Sequence, residues 1–102
     1  MKDKQLQRIA DHYGLENQMS MLEEECAELI QAISKLRRVG VAEQAGVDYI
    51  GARSHVAEEM ADVRIMVGQV EYLLQCETLV ELWTAQKLAR TQRKIKEESH
   101  EQ

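Results

Sequence analysis

The sequence predicts an all-α fold, and three observations carry that expectation. The 102-residue chain has no proline and only five glycines, so little in it breaks a helix. Its apolar residues recur at steps of three and four, the period of a helix face. Hydrophobic residues make up 44%, enough for a packed core and too many for wholesale disorder. No repeat or linker divides the chain, so residues 1–102 are read as one domain. A domain this small buries a modest share of its surface. The expected architecture is therefore a four-helix bundle with two long central helices, for which an interface with a further copy would help.

The first helix is expected from about Lys2 to Tyr13, with Leu6, Ile9, Ala10 and Tyr13 on one face and Gly14 as its stop. The second runs from about Asn17 to Val39 on an apolar stripe of Met19, Leu22, Cys26, Leu29, Ile33 and Leu36. Lys35, Arg37 and Arg38 suit the negative end of its dipole, and Gly40 follows. Residues 40–53 hold three of the five glycines and read as a connecting loop. The third helix is expected from an N-cap at Ser54 to about Cys76, with Val56, Met60, Val63, Val67, Val70 and Leu74 as its core stripe. The fourth runs from Thr78 to about Glu98, with a capping box of Thr78 and Glu81 and an inner face of Leu79, Leu82, Trp83, Gln86 and Ala89.

The formal net charge of -5, from 18 acidic and 13 basic residues, disfavours non-specific nucleic-acid binding and docking to an anionic membrane. No apolar run reaches the ~20 residues of a membrane span. The N-terminus has no apolar stretch of the kind that marks a secretory signal. The two cysteines, Cys26 and Cys76, sit in apolar helical patterns and read as small core residues, not as a disulfide framework. A cytoplasmic location is the expectation.

The acidic residues are not scattered. Glu23, Glu24, Glu25 and Glu28 lie on the second helix, and Glu58, Glu59 and Asp62 on the third. Glu25 and Glu28 are three apart and point the same way from adjacent turns, as do Glu59 and Asp62. All four flank core positions. If the two helices pack antiparallel, four carboxylates converge at a partly buried seam. There they repel one another, or take up protons, unless a divalent cation neutralises them. Carboxylate oxygens are hard ligands suited to Mg²⁺ or Mn²⁺. A di-iron centre is disfavoured, because no Glu-x-x-His occurs in the helical core.

Leu22 to Lys35 (LEEECAELIQAISK) followed by Glu58 to Gln69 (EEMADVRIMVGQ) resembles the MazG-like, all-α nucleoside triphosphate pyrophosphatase superfamily. Its signature, EExxE on one helix and ExxD on the next, is matched by Glu24, Glu25 and Glu28 and by Glu59 and Asp62. The resemblance covers about residues 6–93. It implies hydrolysis of a nucleoside triphosphate to the monophosphate and pyrophosphate, in a dimer or tetramer. It implies Mg²⁺, with Mn²⁺ as a substitute, held by Glu25, Glu28, Glu59 and Asp62. Glu24 would hold a further metal or position the attacking water. Two positions depart from the pattern: Gln69 and Thr84 stand where many members carry Asn near the nucleotide.

Such chemistry needs cations for a polyanionic substrate. Lys87 and Arg90 on the fourth helix and Lys35 at the end of the second are the expected substrate contacts. Trp83 and the tyrosines read as packing, and His12 and His55 as surface or cap residues. Ser20 lacks a base partner, so nucleophilic catalysis is not expected. The competing reading is a non-catalytic helical protein-interaction module of the same fold.

Overall fold

The computed structural model describes residues 3–40 and 46–100. Among these residues there are four helices and no strand: α1 (Lys4–Tyr13), α2 (Leu15–Val39), α3 (Val47–Leu73) and α4 (Glu77–His100). The Asp3 side chain caps α1 by accepting from the Gln5 N–H at 2.8 Å. Gly14 alone separates α1 from α2. Its φ of 84° is open to glycine without strain, its N–H donates to the Ala10 carbonyl, and its own carbonyl accepts from Gln18. Gly40, at φ 91°, ends α2.

Helix α3 begins seven residues before the expected Ser54. Gly51 had argued for a loop. It lies on an open helix face, where glycine costs about 1 kcal/mol, while the adjoining Ala52 and Val56 are buried and offset that cost. Ser54 is exposed inside the helix and caps nothing. The connecting loop shrinks accordingly, and the part of it at 41–45 lies outside the described residues.

The α3–α4 corner is a Schellman turn. The Cys76 N–H donates to the Glu71 carbonyl and the Gln75 N–H to that of Tyr72. Gln75 takes the left-handed conformation (φ 54°) usually left to glycine. The Cys76 carbonyl accepts from Val80, so α4 starts at Glu77, two residues before the place a capping box at Thr78 would give it. Thr78 therefore sits inside the helix and does not cap it.

Helices α2 and α3 form the main interface and run antiparallel, since Gln18 meets Gln69 while Ala32 and Lys35 lie opposite His55. On α3 the inward face is Ala52, Val56, Glu59, Val63, Met66 and Val70, at alternating steps of four and three. The expected core stripe is corrected on this point. Met60, Val67 and Leu74 are exposed by 47%, 37% and 50%, and Glu59 and Gln69 are buried in their place. On α2 the inward set is Gln18, Leu22, Glu25, Leu29, Ala32 and Leu36. Glu25 takes the seam position expected of Cys26, which is exposed and not a core residue. Helix α2 thus carries Gln18 and Glu25, and α3 carries Glu59, where the period calls for an apolar side chain, and Gln69 is buried beside Val70.

The glutamine layer is satisfied. Gln18 Nε2 donates to Gln69 Oε1 at 2.6 Å, and Asn17 Nδ2 donates to Gln18 Oε1 at 2.8 Å. Helix α1 buries Leu6 and Ala10 and is tied to α3 by the Tyr72 hydroxyl, which donates to both oxygens of Asp11 at 3.0 and 2.8 Å. Ile9 and Tyr13, expected on the same face, are exposed.

Helix α4 touches only α3 and has no buried residue. Leu79, Leu82 and Trp83, the expected inner face, are exposed by 55%, 63% and 54%. The radius of gyration is 17.7 Å, against about 13 Å for a compact chain of this length.

The amide pair gives the first prediction. Gln18→Ala leaves the buried Gln69 amide without its partner and is expected to cost about 1–3 kcal/mol in urea unfolding. The double variant Gln18→Leu/Gln69→Leu is expected to lose less than the single one, because it strands no polar group. Equal losses would remove the pair from the account of the seam.

Candidate metal centre

Two turns along the seam from the glutamine layer, the glutamates meet. One carboxylate oxygen each from Glu25, Glu59 and Asp62 lies within 4.8 Å of the other two. The i, i+3 spacing of Glu59 and Asp62 places both on one side of α3, and the antiparallel register sets Glu25 opposite them. Glu59 is 6% exposed, and Glu25 and Asp62 are half-buried. The Oε2 atoms of Glu25 and Glu59 are sealed from solvent and have no hydrogen-bond partner. Glu59 Oε1 has one neighbour of potential positive charge, His55 Nε2 at 3.3 Å, one turn earlier on α3.

The electrostatic consequence falls on Glu25. Its carboxyl is raised from 4.5 to about 7, first by burial, then by the negative charges of Glu28, Asp62 and Glu59 and a shared proton with Glu28. A carboxyl in this position favours a proton or a cation over an unaccompanied charge. Convergent, partly desolvated carboxylate oxygens are the donor set that Mg²⁺ or Mn²⁺ takes, with water completing the shell. The residues present therefore fit such an ion.

The structure brings together three of the four expected ligands directly. Glu28 is exposed at the rim, close enough to interact with Glu25 but outside the tight group. Glu24 is exposed one position further round the helix. Beside the carboxylates a groove of about 430 Å³ opens between α2 and α3. Glu28, Gln31, Lys35 and Arg38 line it from α2, and His55 and Glu59 from α3. Lys35 thus lies in the same groove as the acids.

Lys87 and Arg90 do not. They line a separate hollow of about 250 Å³ made of α4 residues alone, with Lys87 Nζ 6.0 Å from the Trp83 ring centroid. Arg38 and His55, read from the sequence as helix-end and surface residues, also line the groove, and Gln18, which the sequence reading did not single out, is buried at the seam. The signal for His55 was its place four residues before Glu59, where helix geometry stacks the two side chains. For Gln18 there was none beyond its place seven residues before Glu25.

A second prediction concerns pH. Because the folded carboxyl of Glu25 is raised above its ordinary value, its contribution to stability is fully present below about 4.5 and lost as pH rises through about 7. In EDTA, Glu25→Gln is therefore expected to gain melting temperature relative to the natural chain as pH is raised from acid to mildly alkaline. A difference between the two proteins that stays constant with pH would show that Glu25 carries no such strain.

Compared with protein-family models, with curated proteins and with solved structures, the chain finds no match in any of the three.

Proposed function

We propose that this chain is a metal-dependent nucleoside triphosphate pyrophosphohydrolase of nucleotide metabolism, acting in the cytoplasm as a homodimer or homotetramer. The observation that carries the reading is the meeting of Glu25, Glu59 and Asp62 with two buried, unpartnered oxygens among them. The EExxE and ExxD motifs that supply these residues resemble those of MazG-like pyrophosphatases. Glu25, Glu28, Glu59 and Asp62 are the residues that would hold the ion. Mg²⁺ there would offset the charge of a triphosphate and lower the pKa of water.

The chain's own residues divide the remaining work. Glu24 is the spare, exposed carboxylate beside the site and would accept the proton of the attacking water. The water oxygen bonds to the α-phosphorus, the bond from that phosphorus to the bridging oxygen breaks, and pyrophosphate leaves with the electron pair. Lys35 stands in the same groove, where it can meet the charge on the phosphates. In the proposed oligomer, Lys87 and Arg90 meet substrate bound to another copy.

Oligomerisation has its own support. Among the described residues, 14 large hydrophobic side chains are exposed, against 7 hydrophobic residues buried. Met60, Val67 and Leu74 fall on one side of the α3 segment at steps of seven, and Leu79, Leu82 and Trp83 are exposed on α4. Apolar surface on this scale marks a contact with another chain. The same surface favours one alternative, a non-catalytic module that uses α4 to bind a different protein.

The deciding experiment measures pyrophosphate and monophosphate release from a panel of nucleoside triphosphates with Mg²⁺, Mn²⁺ or EDTA. Metal-dependent release is expected. Glu25→Ala and Asp62→Ala are expected to lower it by more than the roughly 10–100-fold that loss of an outer-shell partner costs, with helicity unchanged. Full activity in either variant would sink the site assignment. Absence of turnover together with a melting temperature indifferent to metal would favour the interaction module. A separate expectation is that Leu82→Glu/Trp83→Glu shifts the sedimentation of the chain from oligomer toward monomer. A natural chain that sediments as a monomer at micromolar concentration would refute the assembly.

A further inference from the structure

The groove beside the carboxylates is polar along its length in a way that the metal site alone does not require. Its acidic end is Glu28 and Glu59, continuous with Glu25 and Asp62. Its basic end is Lys35 and Arg38, two and nearly three helical turns beyond Glu28 on α2. Side chains on a helix lean toward its N-terminus, so Lys35 and Arg38 lean back along the groove toward the acids. Even so, among the described residues neither cation comes within ion-pairing distance of a carboxylate. Two cations and a cluster of carboxylates thus share one cavity of about 430 Å³ without neutralising one another.

A ligand complementary to such a cavity must be cationic at one end and anionic at the other. A free anion would be repelled by the acids, and a bare cation would leave Lys35 and Arg38 unmatched. A divalent cation chelated by a short polyphosphate satisfies both ends. We infer that Lys35 and Arg38 form, within one chain, the seat of the metal-bound pyrophosphate portion of the substrate. The departing pyrophosphate then lies toward the C-terminal end of α2, and the nucleoside on the opposite side of the carboxylates. This rests on reading the carboxylates as a metal centre. It goes beyond the sequence-based expectation, which named Lys35 beside Lys87 and Arg90 as a substrate contact, by adding Arg38 and by giving this pair the pyrophosphate end.

The test is a calorimetric titration of the full-length chain with inorganic pyrophosphate, with and without Mg²⁺. Lys35→Gln and Arg38→Gln are compared with Lys94→Gln/Lys96→Gln, exposed cations of α4 outside the proposed site. Binding is expected only with Mg²⁺, and Lys35→Gln or Arg38→Gln is expected to weaken it about tenfold or more, as loss of a charge-assisted contact does. Manganese binding, followed by its paramagnetic signal, is expected to stay unchanged in these two variants. The paired α4 substitution is expected to leave pyrophosphate affinity near that of the natural chain. Unaltered affinity in both Lys35→Gln and Arg38→Gln, or equal binding without metal, overturns the inference. Failure of the enzymatic reading shows itself elsewhere, as absence of nucleotide hydrolysis by a chain that still binds magnesium pyrophosphate through Lys35 and Arg38.

Discussion

Glu25 and Glu59 face one another across the α2–α3 seam, each with an oxygen that neither water nor a protein donor reaches. Desolvation and like-charge repulsion act together there, and the rise of the Glu25 carboxyl to about 7 expresses both. The seam that creates this conflict is also what positions the site. Its antiparallel register fixes which residues of α3 oppose Glu25, and the glutamine layer seven residues away pins that register with a buried hydrogen bond. A slip of one residue along either helix would carry the glutamates and the glutamines off the seam together. The polar layers therefore specify the pairing of two helices whose apolar residues alone permit several.

Helix α4 follows a different logic. It has no buried residue and meets a single neighbour, so its length is not explained by the core of one chain. Packing of one face, more than intrinsic propensity, supplies most helical stability in proteins. The strained Gln75 and the Schellman turn around it fix how α4 leaves α3, and Met60, Val67 and Leu74 of the preceding segment are exposed as well. That arrangement has a physical rationale once another chain covers the surface, and none if the surface stays wet.

The fold class, the four helices and the convergence of the carboxylates were legible in the sequence, because each depends on helical period and little else. Spacing alone puts Glu25, Glu59 and Asp62 together once the two helices pack antiparallel. The exact inward faces were not legible. A periodicity rule assigns the core to apolar residues, and here the core positions of α3 include Glu59 and Gln69, while Met60 and Val67 look outward. The residues that broke the rule are those of the candidate site and of the surface proposed to be covered by a second chain. Gly51 misled for a similar reason, since its intrinsic cost to a helix is small beside the burial of Ala52 and Val56. The cations were read by helical spacing on α4 and by their place at the end of α2, which named Lys35. Spacing cannot reveal that Lys35 and Arg38 share a groove with Glu59, because that depends on which part of α3 lies opposite the end of α2.

The two polar layers of the seam answer the same problem by different means. Gln18 donates to Gln69 and accepts from Asn17, and Gln69 donates to the Met66 sulfur, so their layer is complete within the chain and serves to fix register. Glu25 and Glu59 cannot satisfy each other, since both are acceptors when ionised, and the nearest partial remedy is His55 beside Glu59. An apolar pair at the same positions would pack without that cost. The acidic layer therefore makes sense as a place kept unsatisfied by the protein and completed from outside. Its neighbour, the basic end of the groove, is unsatisfied in the opposite sense. A ligand that carries both charges relieves the two together, and the separation of acids from cations along α2 keeps them from relieving each other first.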